Sequence, residues 1–546
     1  MREKLVVIGN GMAGIACVEQ ILSHSPKFDI TIFGDETHAN YNRILLSSVL
    51  AGEKDTDDIT LNGLDWYQKS GVRLNLGVRI IDIDIKRHVV RGDDGSVTEF
   101  DKVLIATGSY PFLPPIEGIG KTGVYAWRNL DDPRALLAYA RPGVKAVVIG
   151  GGLLGLECAR GLQVQGCDVT VVHIGERLMD RQLDATGGRY LQKKIESMGI
   201  RLLLGKSTTE ILGDGYVEGV RFSDGEEIRA EIVIVAAGIR PNADLGRKAG
   251  VTVNRGIVVN DYMETSHPDV FAVGECVEHR GQIYGLVAPL FEQGRVLAAT
   301  LTGNKEPVYE GSVLAAKLKI MGVDVFSAGN FDETLPDVEM IRYEDPFLGV
   351  YKKITVKNNR LEGVILVGDA SDSHRYMEWL RQNTDLTMMR RQLLFPEPVA
   401  DKGSTVAEMA DSDTVCGCMG VTKGTIISAI HEKGIRTLAQ LKEATRASSG
   451  CGSCAGTCQQ ILKAVSPDFD EETTKFLEDI FDYYARFHTF ELSPLPPAAG
   501  GPWAPVWEES QKRAVPGMII PNDLIKAWFK GRDALYWTNR ERSGSS

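Results

Sequence analysis

The sequence predicts an α/β protein in which two interleaved dinucleotide-binding (Rossmann-like) domains precede a small β-rich domain and a small helical domain. Three observations carry this. Gly9-x-Gly11-x-x-Gly14 follows a short apolar run, Gly150-x-Gly152-x-x-Gly155 follows another, and five of the nine cysteines crowd between Cys416 and Cys458. At 546 residues the chain exceeds one compact unit, since about 150 residues per domain gives three or four domains. A composition 43% hydrophobic and 25% charged is that of a globular protein and excludes disordered or collagen-like classes.

The elements follow in order. Leu5–Ile8 reads as a strand, the glycines open a helix, and Asp29–Phe33 is a second strand ending at Gly34-Asp35-Glu36. Glycine suits this turn because the backbone must bend tightly and come close to a pyrophosphate, whose charge meets a helix N-terminus. A carboxylate about 20 residues on, here Asp35 or Glu36, can hold a ribose hydroxyl. Val144–Ile149, Gly150/Gly152/Gly155 with Glu157, and Asp168–Val172 ending at His173 repeat the plan, which implies two dinucleotides in one chain. Two more strands end at glycine, Lys102–Ala106 before Thr107-Gly108 and Glu231–Ala236 before Ala237-Gly238, and leave room for a ligand at their carboxyl ends. Ala316–Ile320, Tyr351–Lys357 and Leu361–Val367 alternate as strands around an Asn358-Asn359 turn. Pro396, Pro398 and Asp401–Ser404 mark a linker.

Cys416-x-Cys418 and Cys451-x-x-Cys454 bring four thiolates in two close pairs, which suits a [2Fe–2S] cluster or a structural zinc. A [4Fe–4S] site using Cys458 would leave Cys416 and Cys418 idle, and Cys458 reads as a buried packing residue. Thr422 is placed to cap a helix from Lys423 to about Lys433, Thr437-x-x-Gln440 has the form of a capping box, and Ala455 begins a helix after Cys454. Helix N-termini put backbone N–H groups beside the anionic sulfurs.

The charge, 61 basic against 73 acidic residues for a net −12, without long Lys/Arg blocks, argues against nucleic acid or an anionic membrane as partner. No run of 18 apolar residues is present. Met1–Lys4 and the apolar stretch to Cys17 imitate a signal peptide, but Gly9, Asn10, Gly11 and Gly14 fit a strand-turn-helix. With clustered cysteines and no disulfide framework, a reduced, cytoplasmic setting is expected.

The order Gly9/Gly11/Gly14, Ala106-Thr107-Gly108, Gly150/Gly152/Gly155, Ala237-Gly238 and Asp269–Gly274-Glu275 resembles the FAD/NAD(P) reductases of the pyridine nucleotide-disulfide oxidoreductase superfamily. The resemblance implies that the first fingerprint binds FAD and the second NAD(P)H, with Gly274-Glu275 returning to the flavin. Many relatives carry Asp where this chain has Glu275. Residues 414–465 resemble the BFD-like [2Fe–2S] domain, and Tyr41-Asn-Arg43, Gly152–Glu157, Gly285–Pro289 and Val421–Gly424 resemble the first half of the NAD(P)H nitrite reductase large subunit. By that pattern Arg43 contacts FAD phosphate and Glu157 approaches the nicotinamide; as residues alone, they fit equally a surface arginine and a first-turn carboxylate. Cysteines for a sirohaem centre are missing, so the resemblance implies an electron-transfer component feeding a separate catalytic redox subunit, as in nitrate or nitrite assimilation. A reductase serving another redox protein and a redox-sensing interaction protein are the alternatives.

The implied division is an FAD domain in parts 1–120 and 246–305, an NAD(P)H domain at 121–245, and a β-rich domain at 311–395, where a homodimer contact is expected. A linker at 396–413, the cluster domain at 414–465 and a tail at 466–546 complete it. The tail, with Trp503, Trp507, Trp528 and Trp537, reads as a docking segment or a local core. Ser47 and Ser48 stand where thiol-dependent relatives need a redox cysteine, and His279 reads as solvent-facing. His173 neither binds a ribose diol firmly nor repels a 2′-phosphate; Glu176 offers a carboxylate and Arg177 a phosphate partner, and a modest NADH preference is expected.

Overall fold

The apolar run at the N-terminus forms the strand Glu3–Ile8, the glycines turn it into the helix Met12–His24, and Phe28–Gly34 returns parallel to it, Glu3 opposite Phe28 through Ile8 opposite Phe33. Leu5, Val6, Val7 and Ile8 are buried in succession, as a strand covered on both faces requires. In this computed structural model the described residues are 2–320, 323–395, 406, 409–417, 419–449 and 454–466.

The first sheet runs Val270–Ala272, Lys102–Ile105, Glu3–Ile8, Phe28–Gly34, Arg73–Leu76, every neighbour parallel. Its outer strand, Val270–Ala272, comes from far along the chain. Between the two visits the chain builds a second parallel sheet, Val124–Ala126, Ile232–Val235, Lys145–Ile149, Asp168–Val172, Arg201–Leu203. Ser109–Pro111 and Ile239–Pro241 pair antiparallel where the chain crosses between the sheets. Both glycine-terminated strands stop one residue before the expected alanine: the Ala106 and Ala236 amides still donate to the Ile8 and Ile149 carbonyls at 2.8 Å, but their own carbonyls lie against the fingerprint glycines.

The β-rich part is one antiparallel sheet, Ala315–Ile320, Val323–Gly329, Arg360–Val367, Val350–Lys357, Val338–Asp345. Asn358 and Asn359, at φ 50° and 57°, make the tight left-handed turn between its two long central strands. Two buried lysines interrupt the apolar core and are paired, as desolvated ammonium groups must be: Lys352 Nζ lies 2.6 Å from Asp369, and Lys353 Nζ lies 3.2 Å from Asp184 and 3.0 Å from Glu333. Asp184 also accepts from the Tyr351 hydroxyl at 2.6 Å and from the Gly187 amide at 2.8 Å, capping the helix Ala185–Ser197. That one carboxylate ties the β-rich part to the second parallel domain.

The C-terminal unit pairs Thr414–Cys416 with Val421–Thr422 and then forms three helices, Lys423–Lys433, Leu438–Thr445 and Ala455–Val465, packed through buried Ile426, Ile430, Leu441, Ile461 and Leu462. Thr422 caps the first helix by accepting from the Thr425 amide, and the Thr437/Gln440 capping box forms as the sequence predicts. Cys418, Cys451, most of the 396–413 linker and the tail beyond residue 466 with its four tryptophans lie outside the described residues.

His279 departs from expectation. It is 1% exposed, its Nε2 sits 2.8 Å from Asp261 Oδ1 and its ring centre 4.8 Å from that of Tyr309. The reason is tertiary: its strand Val277–His279 is enclosed between Ile257–Val259 and Gln282–Ile283.

Candidate functional site

The two fingerprints are built alike, and their glycines divide into two kinds. At Gly9 (φ +114°) a Cβ would stand 2.2 Å from the Ala106 carbonyl oxygen, and at Gly150 (φ +131°) 2.2 Å from that of Ala236. At Gly14 and Gly155 it would stand 2.9 and 2.0 Å from the carbonyl oxygens of Gly9 and Gly150. These four are glycine because the protein's own backbone fills the space. Gly11 and Gly152 differ: a Cβ there meets nothing within 4 Å, and their φ values of −90° and −86° suit any residue. Packing therefore leaves them unexplained, whereas a pyrophosphate laid against the backbone explains them. Each adjoins a helix that carries neither a side-chain cap nor an acidic residue in its first turn, which leaves amide N–H groups for an anion. The residues fit a dinucleotide at both places.

Around the first fingerprint the structure selects between the two candidate carboxylates. Glu36 receives the Tyr41 hydroxyl at 2.7 Å and pairs with the Arg43 guanidinium, which lies over the Tyr41 ring at 4.9 Å and donates to the Arg128 carbonyl at 3.2 Å. Asp35 faces solvent, 3.6 Å from Arg79, apart from this cluster. Arg43 is held and mostly covered, so the free surface arginine is not its environment. Glu275 is mostly buried, paired with the Arg128 guanidinium and accepting from the Ser109 hydroxyl at 2.7 Å. Gly274 donates its amide to the buried Gln293 at 2.9 Å, and the Thr107 hydroxyl donates to the Asn242 carbonyl at 2.6 Å. No sequence motif singles out Arg128. Its signal was slight, an arginine three residues before Asp131-Asp132.

At the second fingerprint His173 folds back over the loop, its Nδ1 accepting from the Gly151 amide at 3.2 Å. Burial holds its pKa below the usual imidazole range against the opposing pull of Asp180, so the ring is neutral with its proton on Nε2. Arg177 donates to the carbonyls of Leu183 (3.0 Å) and Asp180 (3.2 Å), which ties it to its own loop. Gly238, at φ +118°, ends the neighbouring strand with open space where a Cβ would be.

Glu157 is not a first-turn carboxylate. It lies in the second turn of the helix Leu153–Val164, partly buried, and burial pushes its pKa up from 4.5 to about 8. From 4.5 to about 8 the folded chain keeps a proton that the unfolded chain releases, so stability falls across that interval as pH rises. Glu157→Gln is expected to remove this slope. Between pH 6 and 9 the native chain should lose on the order of 2 kcal/mol relative to the variant, allowing for the carboxyl's partial hydration, and thermal melts at the two pH values check it.

The neighbouring thiols are inert. Cys17 and Cys158 are fully buried, and burial pushes both thiol pKa values up, which suits packing rather than thiolate chemistry. Ser47 and Ser48 occupy the short helix Leu46–Leu50.

In the C-terminal unit Cys416 ends its strand fully buried, and Cys454 stands buried at the N-cap of the helix Ala455–Val465, where no side chain caps the helix. Soft donors in a dry setting beside helix N–H groups fit an anionic iron–sulfur group. Cys458 is fully buried one turn on, as a packing residue should be.

Two parallel sheets, each opening a strand into an uncapped glycine fingerprint, with the second sheet inserted into the chain of the first, define a two-dinucleotide reductase. Residues 3–294 match the pyridine nucleotide-disulphide oxidoreductase family, and the chain belongs to it. Residues 315–384 match the rubredoxin NAD+ reductase C-terminal domain, and residues 414–464 the BFD-like [2Fe-2S] binding domain. The cofactors of this domain set are FAD, NAD(P)H and a [2Fe–2S] cluster. The chain is 46% identical over 477 residues to a nitrite reductase [NAD(P)H] of Bacillus subtilis (strain 168), covering 87% of this chain and 59% of that protein. It is 44% identical over 463 residues to the assimilatory nitrate reductase electron transfer subunit of the same organism, covering 85% and 60%. It thus spans about three fifths of the length of these curated relatives. Among solved structures, NADH:rubredoxin oxidoreductase from Clostridium acetobutylicum superposes with a TM-score of 0.60 at 27% identity, covering 71% of this chain and 97% of that one. No helix among the described residues is long and apolar enough to cross a membrane.

Proposed function

We propose that the chain oxidises NAD(P)H and delivers the electrons to a separate catalytic subunit in assimilatory nitrate or nitrite reduction. The observation that carries this is the pair of open cradles at Gly11 and Gly152 on a chain that also bears the cysteine domain; the likeness to the two Bacillus proteins supplies the pathway. Bound flavin would take the hydride and the cluster would pass electrons on singly. The first fingerprint, Gly9, Gly11 and Gly14, takes the flavin dinucleotide with Asp35 or Glu36, Arg43, Ala106-Thr107-Gly108 and Gly274-Glu275 around it. Glu36 is the better placed carboxylate, being clustered with Arg43. Gly150, Gly152, Gly155, Glu157, His173 and Gly238 take the nicotinamide dinucleotide, and Cys416, Cys418, Cys451 and Cys454 hold the cluster.

The same reading places the protein in the cytoplasm, as a homodimer through the β-rich domain, with residues from about 471 onward docking the catalytic subunit. Truncation after Pro467 tests the docking. NADH oxidation with a small artificial acceptor should continue for many turnovers while activity with the catalytic subunit collapses by about tenfold or more, the loss expected when interface anchors go. Loss of both activities or of neither refutes the docking. A full-length chain that is reduced once by NADH and then stalls refutes the reductase itself and favours a redox sensor.

A further inference from the structure

The specificity end of the second fingerprint contains an arrangement that its sequence did not disclose. The strand Asp168–Val172 hands over to His173, the position that reads the adenosine ribose in this fold. The hydrogen bond from the Gly151 amide to Nδ1 leaves Nε2–H as the ring's only donor, and Nε2 is buried with no hydrogen-bond partner. A Cβ on Gly175 would stand 2.9 Å from Nε2 and 3.4 Å from Asp180 Oδ2, so a side chain there would crowd both groups and glycine leaves them facing each other. Asp180 Oδ1 lies 3.7 Å from Nε2, too far for a direct hydrogen bond and near enough to share one small oxygen-bearing group with it. The neighbouring cations are engaged: Arg177 is bonded to the carbonyls of Asp180 and Leu183, and Lys206 is paired with Asp224 and Glu226. Arg181, next in sequence to Asp180, is exposed at the rim.

We infer that Asp180 is the residue that excludes a 2′-phosphate, with the neutral His173 Nε2–H beside it as the donor to the ribose hydroxyl. The inference rests on the second fingerprint's being the NAD(P)H site. A ribose hydroxyl satisfies both neighbours, since it accepts from the imidazole and donates to the carboxylate. A phosphate dianion cannot donate, and it would meet the Asp180 carboxylate with like charge at close range. Specificity here thus comes from a repulsive element eight residues beyond Val172, the last residue of the strand, instead of the usual acid at the strand end.

Binding of ADP-ribose and 2′-phospho-ADP-ribose to the full chain, by titration calorimetry, tests this without turnover. The native chain should prefer ADP-ribose by about tenfold or more, and Asp180→Asn should reduce that preference by about tenfold. Asp180→Glu, which keeps the charge, should retain most of it. An unchanged preference in Asp180→Asn, or an equal weakening of both ligands, overturns the inference. Failure of the native chain to bind either ligand overturns the nicotinamide-site reading beneath it, a result distinct from the other two.

Discussion

Gly11→Val is expected to yield a folded chain without flavin, and Gly9→Ala a chain that has lost much of its stability, although Gly9→Ala makes the smaller change. At Gly9 the backbone is left-handed and a Cβ would stand 2.2 Å from the Ala106 carbonyl oxygen, so even a methyl group must displace one strand end of the first sheet. Strained φ together with a backbone clash in a packed core places the loss at roughly 3–5 kcal/mol. At Gly11 the extended φ of −90° suits valine and nothing lies within 4 Å of the added Cβ, so the fold itself should lose less than about 1 kcal/mol. The valine instead fills the space against which a pyrophosphate would lie. Flavin content, read as absorbance near the visible flavin band per polypeptide, should drop by at least about tenfold in Gly11→Val while its melting temperature before flavin loading stays near that of the native chain. Full flavin in Gly11→Val would overturn the assignment of the first fingerprint. The equivalent substitution Gly152→Val should spare the flavin and abolish its reduction by NADH, since the second cradle is open in the same way.

Replacing a cluster cysteine should separate the two halves of the electron path. The native chain is expected to carry one FAD and one [2Fe–2S] cluster and to be yellow-brown. Cys451→Ser or Cys454→Ser should abolish the reduced-cluster EPR signal, because an alcohol is a poor substitute for a soft thiolate in a site whose described members, Cys416 and Cys454, are buried away from water. Reduction of the flavin by NADH should survive in both variants, since the residues grouped around the two fingerprints all precede residue 294 in the chain and none belongs to the cysteine domain. Persistence of the signal, or a native chain that contains zinc and no iron, would overturn the cluster.

What the sequence determined by itself was everything governed by neighbours a few residues apart. The two-asparagine turn at 358–359, the Thr422 cap and the Thr437/Gln440 box are local physics, each side chain acting on backbone within one turn, and the fingerprint glycines were legible by their spacing although the carbonyls that require Gly9 and Gly150 belong to the distant Ala106 and Ala236. The insertion of one dinucleotide domain into the other was legible only through the resemblance that the ordered motifs from Gly9 to Glu275 bear to the reductase family. Tertiary structure alone decided what depends on distant partners. Arg128 reaches Glu275 across 147 residues of sequence, and Glu36 rather than Asp35 turns toward Arg43 because Tyr41 and the Arg128 carbonyl hold that arginine in place. His279, polar and near a loop in the sequence, is buried because strands on both sides enclose it. Glu157 retains its proton near neutrality for the same reason: burial is set by what folds over a residue, and the residue's own chemistry and its immediate neighbours contain no record of that.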